Sequence, residues 1–107
     1  MEELNVLYET VMDRKASPEE GSYTSYLFGK GEEKILKKVG EECTEVIIAS
    51  LSQSKEDLIN EFCDLFYHMV VLMVEKGITL EEISAELECR SGKKHNLKAE
   101  RKPVTNY

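Results

Sequence analysis

The sequence predicts an all-α fold, a bundle of four helices. Residues 31–74 carry two long helical patterns, residues 2–15 a shorter one, and cap and stop residues stand at the breaks between patterns. At 107 residues the chain reads as one domain, 1–107, large enough for a single core but not for two.

Leu4, Leu7, Tyr8, Val11 and Met12 recur at helical spacing and make the first helix amphipathic. Pro18 and Gly21 end it, so residues 16–22 read as a loop. The run Tyr23-Thr24-Ser25-Tyr26-Leu27-Phe28, closed by Gly29 and Gly31, has two readings. It is either an irregular, partly helical connector on the core, or a lip whose hydroxyls and rings hold a sugar or base beside an acidic site.

The second helix spans about residues 32–51, with Gly40 as its weak point. Ser54 can cap the third helix, with Asp57 at its third position, and Gly77 suits the left-handed residue just past its end. The fourth helix opens with a capping box, Thr79 with Glu82, flanked by Ile78 and Ile83 as a hydrophobic staple, and runs to about Arg90. Residues 91–107 form a basic tail with Lys93, Lys94, Lys98, Arg101 and Lys102, either solvated or reaching a phosphate.

The two long helices each carry acids three residues apart: Glu42 with Glu45, and Glu61 with Asp64. Acids at i and i+3 lie only about 60° apart around a helix, so each pair can aim at one spot, and two antiparallel helices bring four carboxylates together. Around Glu61 and Asp64 the third helix is apolar on nearly every side, with Leu58, Ile59, Phe62, Leu65, Phe66, Met69, Val70, Val71, Leu72, Met73 and Val74. A helix of that kind is buried, and an ionised acid within it needs a proton, a strong donor or a cation. On the second helix, Ile35, Val39, Cys43, Val46, Ile47 and Ser50 form the expected packing face, with Glu42 at its edge.

Lys34 and Lys38 extend the Glu42–Glu45 strip and set ammonium groups beside the acids, a combination suited to magnesium and polyphosphate. Zinc fits poorly: Cys43, Cys63 and Cys89 lack paired spacing, and His68 and His95 are far apart. The competing reading is a solvated charge stripe, since E-x-x-E is common on acidic helices. The doubling on consecutive helices favours the metal site. His68, one turn after Asp64, reads as a donor near the site, a phosphate contact or a hydrogen-bonded core histidine.

The net charge of −7 argues against binding nucleic acid through its phosphates. No stretch approaches a membrane span of about 20 apolar residues, and the acidic start lacks a signal peptide's basic region. Three cysteines without paired spacing fit a reducing cytoplasm. The all-round apolar third helix calls for more cover than short neighbours supply, which predicts a homo-oligomer, a dimer first.

Three segments carry a family resemblance: Gly21-Ser22-Tyr23-Thr24-Ser25-Tyr26-Leu27-Phe28, then Lys34-Ile35-Leu36-Lys37-Lys38-Val39-Gly40-Glu41-Glu42-Cys43-Thr44-Glu45, and Glu61-Phe62-Cys63-Asp64-Leu65-Phe66-Tyr67-His68. With them the chain resembles the phosphoribosyl-ATP pyrophosphohydrolases of histidine biosynthesis, within the all-α MazG-like superfamily. The acid pairs mark the superfamily; the aromatic run and the Asp-Leu-x-Tyr-His run point to the histidine branch. Beyond Arg90 the chain departs from the family pattern at Lys93 and Lys94, while Lys98 and Arg101 keep its spacing.

The resemblance implies magnesium-dependent hydrolysis of phosphoribosyl-ATP to phosphoribosyl-AMP and pyrophosphate. Glu42, Glu45, Glu61 and Asp64 would hold the metal, and Glu41 would orient the attacking water. Lys34 and Lys38 would contact phosphate, with Ser22, Tyr23, Lys30 and His68 as further substrate contacts. Two alternatives share these residues: a house-cleaning nucleoside triphosphate pyrophosphohydrolase, and a non-catalytic helical dimerisation module.

Overall fold

The structure, a computed structural model, describes residues 1–92. These fold into five helices with no strand among the described residues: α1 Glu2–Ala16, α2 Tyr23–Lys30, α3 Glu32–Ser52, α4 Lys55–Lys76 and α5 Leu80–Ser91. Residues 1–77 form one compact unit, and α5 belongs to a second that begins at Ile78.

The helix beyond the four expected is α2. Its sequence reads as an irregular, partly helical connector; Ser22 caps it by accepting the Ser25 N–H at 3.1 Å, and Leu27 anchors it with no exposed surface. Gly31 closes α2 by donating its N–H to the Leu27 carbonyl, and at φ +94°, ψ −177° it turns the chain directly into α3. That backbone region is open almost only to glycine. A cap, a buried leucine and a permissive glycine thus make a helix of eight residues where the sequence suggested an irregular, partly helical connector.

The other boundaries follow the sequence. Ser54 accepts the Asp57 N–H at 3.2 Å, and Gly77 ends α4 in the left-handed conformation with its N–H on the α4 carbonyls. In the second unit, Thr79 and Glu82 form the reciprocal capping box that starts α5.

Within the first unit, α3 and α4 make the largest contact, α1 packs on α4 and α2, and α2 packs on α3. Lys76 near the end of α4 bridges to Glu32 at the start of α3 at 3.1 Å, so the two long helices run antiparallel. Tyr8, Val11, Leu27, Ile35, Ala49, Val70, Val71 and Val74 form the core. Fully burying a side chain such as Leu27 or Ile35 contributes about 1.5–3 kcal/mol.

Two expected faces are corrected by this packing. On α3 the buried strip is Ile35, Glu42 and Ala49, spaced by seven residues, whereas Cys43, Ile47 and Ser50 are exposed. The face is turned so that Glu42 lies in its middle, because α2 and α4 approach α3 from that side.

On α4 the burial is one-sided. His68, Val70, Val71 and Val74 are buried, while Ile59, Phe62, Phe66 and Met69 remain 41–50% exposed. Consequently Glu61 is half-buried and Asp64 exposed, and the buried acid of the site is Glu42 on the neighbouring helix.

Candidate functional site: an acid cluster under an aromatic lip

Glu42 on α3 and Glu61 and Asp64 on α4 converge, each offering a carboxylate oxygen within 4.8 Å of the others. Helix periodicity sets Glu61 beside Asp64, and the antiparallel pairing of α3 with α4 brings Glu42 opposite them. Glu45, the fourth acid expected at the cluster, is exposed and stands outside that group. It is still close enough to act on Glu61. Burial, then Asp64, Glu45, Glu42 and Asp57, push the Glu61 carboxyl above its ordinary value.

Opposing charge comes from Lys38. Its ammonium donates to Glu41 Oε2 at 3.1 Å and lies 3.5 Å from Glu42 Oε1. The hydrogen bond to Glu41 raises the lysine's pKa, and the same bond holds Glu41 below the usual carboxylate range. Both groups are therefore ionised at neutral pH. Lys37 stands 4.0 Å from the other Glu41 oxygen, so Glu41 is held by cations on α3 itself.

Over this corner lies α2. Tyr23, its first residue, is 45% exposed and reaches His68 Nε2 through its hydroxyl at 3.0 Å. His68 donates from Nδ1 to the Asp64 carbonyl at 2.7 Å and is only 5% exposed. The histidine is thus a hydrogen-bonded core residue, and contact between it and a substrate would run through Tyr23. Tyr67 lies edge-on to His68, with centroids 4.9 Å apart, and its hydroxyl is hydrogen-bonded to Thr24. Burial raises the phenol pKa of both Tyr23 and Tyr67, while Lys38 pulls that of Tyr23 back.

The remaining expected contacts are dispersed. Ser22 is engaged as the α2 cap, and the Lys30 ammonium sits 5.8 Å from the Tyr26 ring centroid. Lys34 is half-buried one turn before Lys38. Lys93, Lys94, Lys98 and Arg101 lie outside the described residues.

Sequence comparison decides what this arrangement belongs to. A family model described as phosphoribosyl-ATP pyrophosphohydrolase matches residues 4–91. The chain belongs to that family. It is 59% identical over 103 residues to the phosphoribosyl-ATP pyrophosphatase of Clostridium acetobutylicum, covering 96% of this chain and 94% of that one. The enzyme of the same name from Streptococcus thermophilus is 50% identical over 104 residues, covering 97% and 99%. That of Bacillus mycoides is 56% identical over 90 residues, with 84% of each chain covered.

Against this family background, Thr24 and Tyr67 are the site neighbours that sequence reasoning missed as a pair. Each lies inside a motif that carries the resemblance, but their contact joins residues 43 positions apart, and spacing along one helix does not reveal it.

Proposed function

We propose that this chain hydrolyses phosphoribosyl-ATP between its α and β phosphates, giving phosphoribosyl-AMP and pyrophosphate, as the second step of histidine biosynthesis. The observation that carries the reading is the Glu42, Glu61 and Asp64 cluster with Lys38 beside it, in a chain homologous along its length to phosphoribosyl-ATP pyrophosphatases.

The donor set fits magnesium. It offers only hard carboxylate oxygens, with no thiolate or imidazole in the group, and leaves room for waters and phosphate to complete the coordination. Glu42, Glu61 and Asp64 would hold the ion, with Glu45 at the rim. Bound there, magnesium would offset the charge of the triphosphate and make the attacking water more acidic.

The chain's own residues position the reactants. Lys38 is an ammonium fixed by Glu41 and Glu42, free to draw a phosphate oxygen towards the acids, and Lys34 extends the same strip. Glu41, with Oε2 engaged by Lys38, keeps Oε1 to accept a hydrogen bond from the attacking water. As the water oxygen bonds to the α phosphorus, the bridging oxygen leaves with pyrophosphate and the water's proton passes to solvent. The aromatic lip, Ser22, Tyr23 and Lys30, faces the nucleoside end.

The partner is a second copy of the chain. Leu36, Ile47 and Leu51 on α3, and Ile59, Phe62, Phe66 and Met69 on α4, expose an apolar stripe along both long helices, and a two-fold pairing would cover it. No helix of the described residues is long and apolar enough to cross a membrane.

The deciding experiment measures pyrophosphate release with magnesium on phosphoribosyl-ATP and on ordinary nucleoside triphosphates. Strong preference for phosphoribosyl-ATP is expected. Preference for another triphosphate would leave a house-cleaning pyrophosphohydrolase, and no turnover on any would leave a helical dimerisation module.

A further inference from the structure

The Tyr23–His68 bond constrains more than the packing of α2 on α4. The Asp64 backbone carbonyl can only accept, so the ring nitrogen facing it at 2.7 Å, Nδ1, must carry hydrogen. Neither ring nitrogen is hydrogen-bonded to a carboxylate: their partners are a carbonyl and a phenol. In a neutral imidazole only one ring nitrogen carries hydrogen. A neutral ring protonated at Nδ1 presents a lone pair at Nε2, and the Tyr23 hydroxyl, 3.0 Å away, must then donate to it.

We propose that His68 is a positioning residue that takes up the hydroxyl hydrogen of Tyr23, so that Tyr23 meets the substrate only as an acceptor. It selects a sugar hydroxyl or an amino group of the nucleoside part and rejects a phosphate oxygen.

The phenol is held for that task. Its ring stacks with Tyr26 and with Tyr67, with centroids at 6.0 and 6.1 Å, and stands edge-on to His68 at 5.7 Å. The charged groups that act on it are Lys38 and Glu42, so its oxygen borders the corner where the phosphates are proposed to lie. Ionised phosphate oxygens are acceptors too. With no hydrogen left to offer them, Tyr23 repels phosphate, while Lys38 attracts it. The two side chains together orient the nucleotide: phosphates towards the ammonium and acids, the nucleoside towards the phenol. This deepens the proposed function and rests on it for the identity of the nucleotide, but the tautomer of His68 does not.

Imidazole nitrogen NMR of the uniformly labelled full chain, at about pH 8 and above the ordinary histidine pKa of about 6.5, reads the tautomer directly. His68→Gln assigns the signals, since His95 is the other histidine. A neutral ring protonated at Nδ1 is expected; an Nε2–H ring or an imidazolium would overturn the proposal.

In kinetics, Tyr23→Phe should raise KM for phosphoribosyl-ATP about tenfold, the loss of one hydrogen bond, with kcat little altered and inhibition by inorganic pyrophosphate unchanged. His68→Gln, whose amide oxygen can accept from Tyr23, should keep KM within about threefold, whereas His68→Leu should match Tyr23→Phe. Equal weakening of nucleotide and pyrophosphate binding by Tyr23→Phe would place Tyr23 on the phosphates and refute the proposal. Should the chain prefer another nucleoside triphosphate, only the parent reading falls, and the same comparison is made on that nucleotide. The Tyr23→Phe and NMR measurements decide the matter even if His68→Leu fails to fold.

Discussion

Lys38 Nζ stands 3.5 Å from Glu42 Oε1, an ammonium set against the one buried acid among the described residues. Lys38 shares that ammonium with Glu41, which is exposed, so the lysine links the interior of the acid cluster to its surface.

Lys38→Ala should therefore lower kcat/KM by about 100-fold, as removal of a charge-stabilising group does. Its effect on stability with magnesium present should stay within about 1 kcal/mol, because the pair with exposed Glu41 is weak and the cation would compensate buried Glu42. Steady-state pyrophosphate release and urea melts check both. Unaltered kinetics with a clear loss of stability would make Lys38 a structural pair only.

The three convergent acids should behave as a unit that excludes Glu45. Glu61→Gln and Asp64→Asn keep shape while removing charge, so each should fold and lose about 100-fold or more in magnesium-dependent turnover. Their double variant should be little worse than the weaker single one, as expected of residues acting together. Glu45→Gln, outside the cluster, should lose distinctly less. An equal loss on Glu45→Gln would show that the working site is wider than this arrangement.

The raised pKa of Glu61 gives a pH dependence with a definite sign. Between its ordinary value of 4.5 and its higher folded value, the folded chain holds more protons than the unfolded one at this residue. This contribution to stability is fully present below the ordinary value and is lost as pH rises through the folded one. Without metal, the melting temperature of Glu61→Gln should fall less across that window than the parent's. Magnesium should raise the parent's melting temperature at neutral pH, with a smaller effect below the ordinary value, where Glu61 is protonated. Parallel pH profiles for parent and variant would remove Glu61 from the coupled acid group.

The exposed stripe of α3 and α4 predicts self-association. Ile47→Glu and Phe66→Glu place charges on surface that the first unit leaves 61% and 41% exposed, so secondary structure should persist while a dimer is lost. Sedimentation velocity at micromolar concentration distinguishes the outcomes. A monomeric parent would leave the stripe without the proposed partner.

Gly31 connects α2 to α3 in a conformation that side chains resist. Gly31→Ala should cost about 1–3 kcal/mol through backbone strain, although a Cβ there would meet nothing within 4 Å. Gly40→Ala, equally open but in the α3 helix and with no positive φ, is expected to stabilise slightly. A denaturant series on both variants separates conformation from crowding.

By itself the sequence determined what depends on neighbours along the chain. The 3.6-residue period marked the long helices, Ser54 and Thr79 marked helix starts, Gly77 marked a stop, and the i, i+3 spacing aimed Glu61 and Asp64 together. What it left open depends on rotation and on distant partners. An amphipathic period tells that a helix has a covered face but leaves tens of degrees of freedom in where that face is centred. Packing of α2 and α4 on α3 fixed this, turning Glu42 inward and leaving Glu45 and Ile47 exposed. Likewise the Tyr23 hydroxyl and the His68 ring are 45 residues apart, and only the docking of α2 across α4 brings them within 3.0 Å. A hydrogen bond of that separation has no periodicity to betray it, which is why the acids were legible and the bonds that tie the aromatic lip to α4 were not.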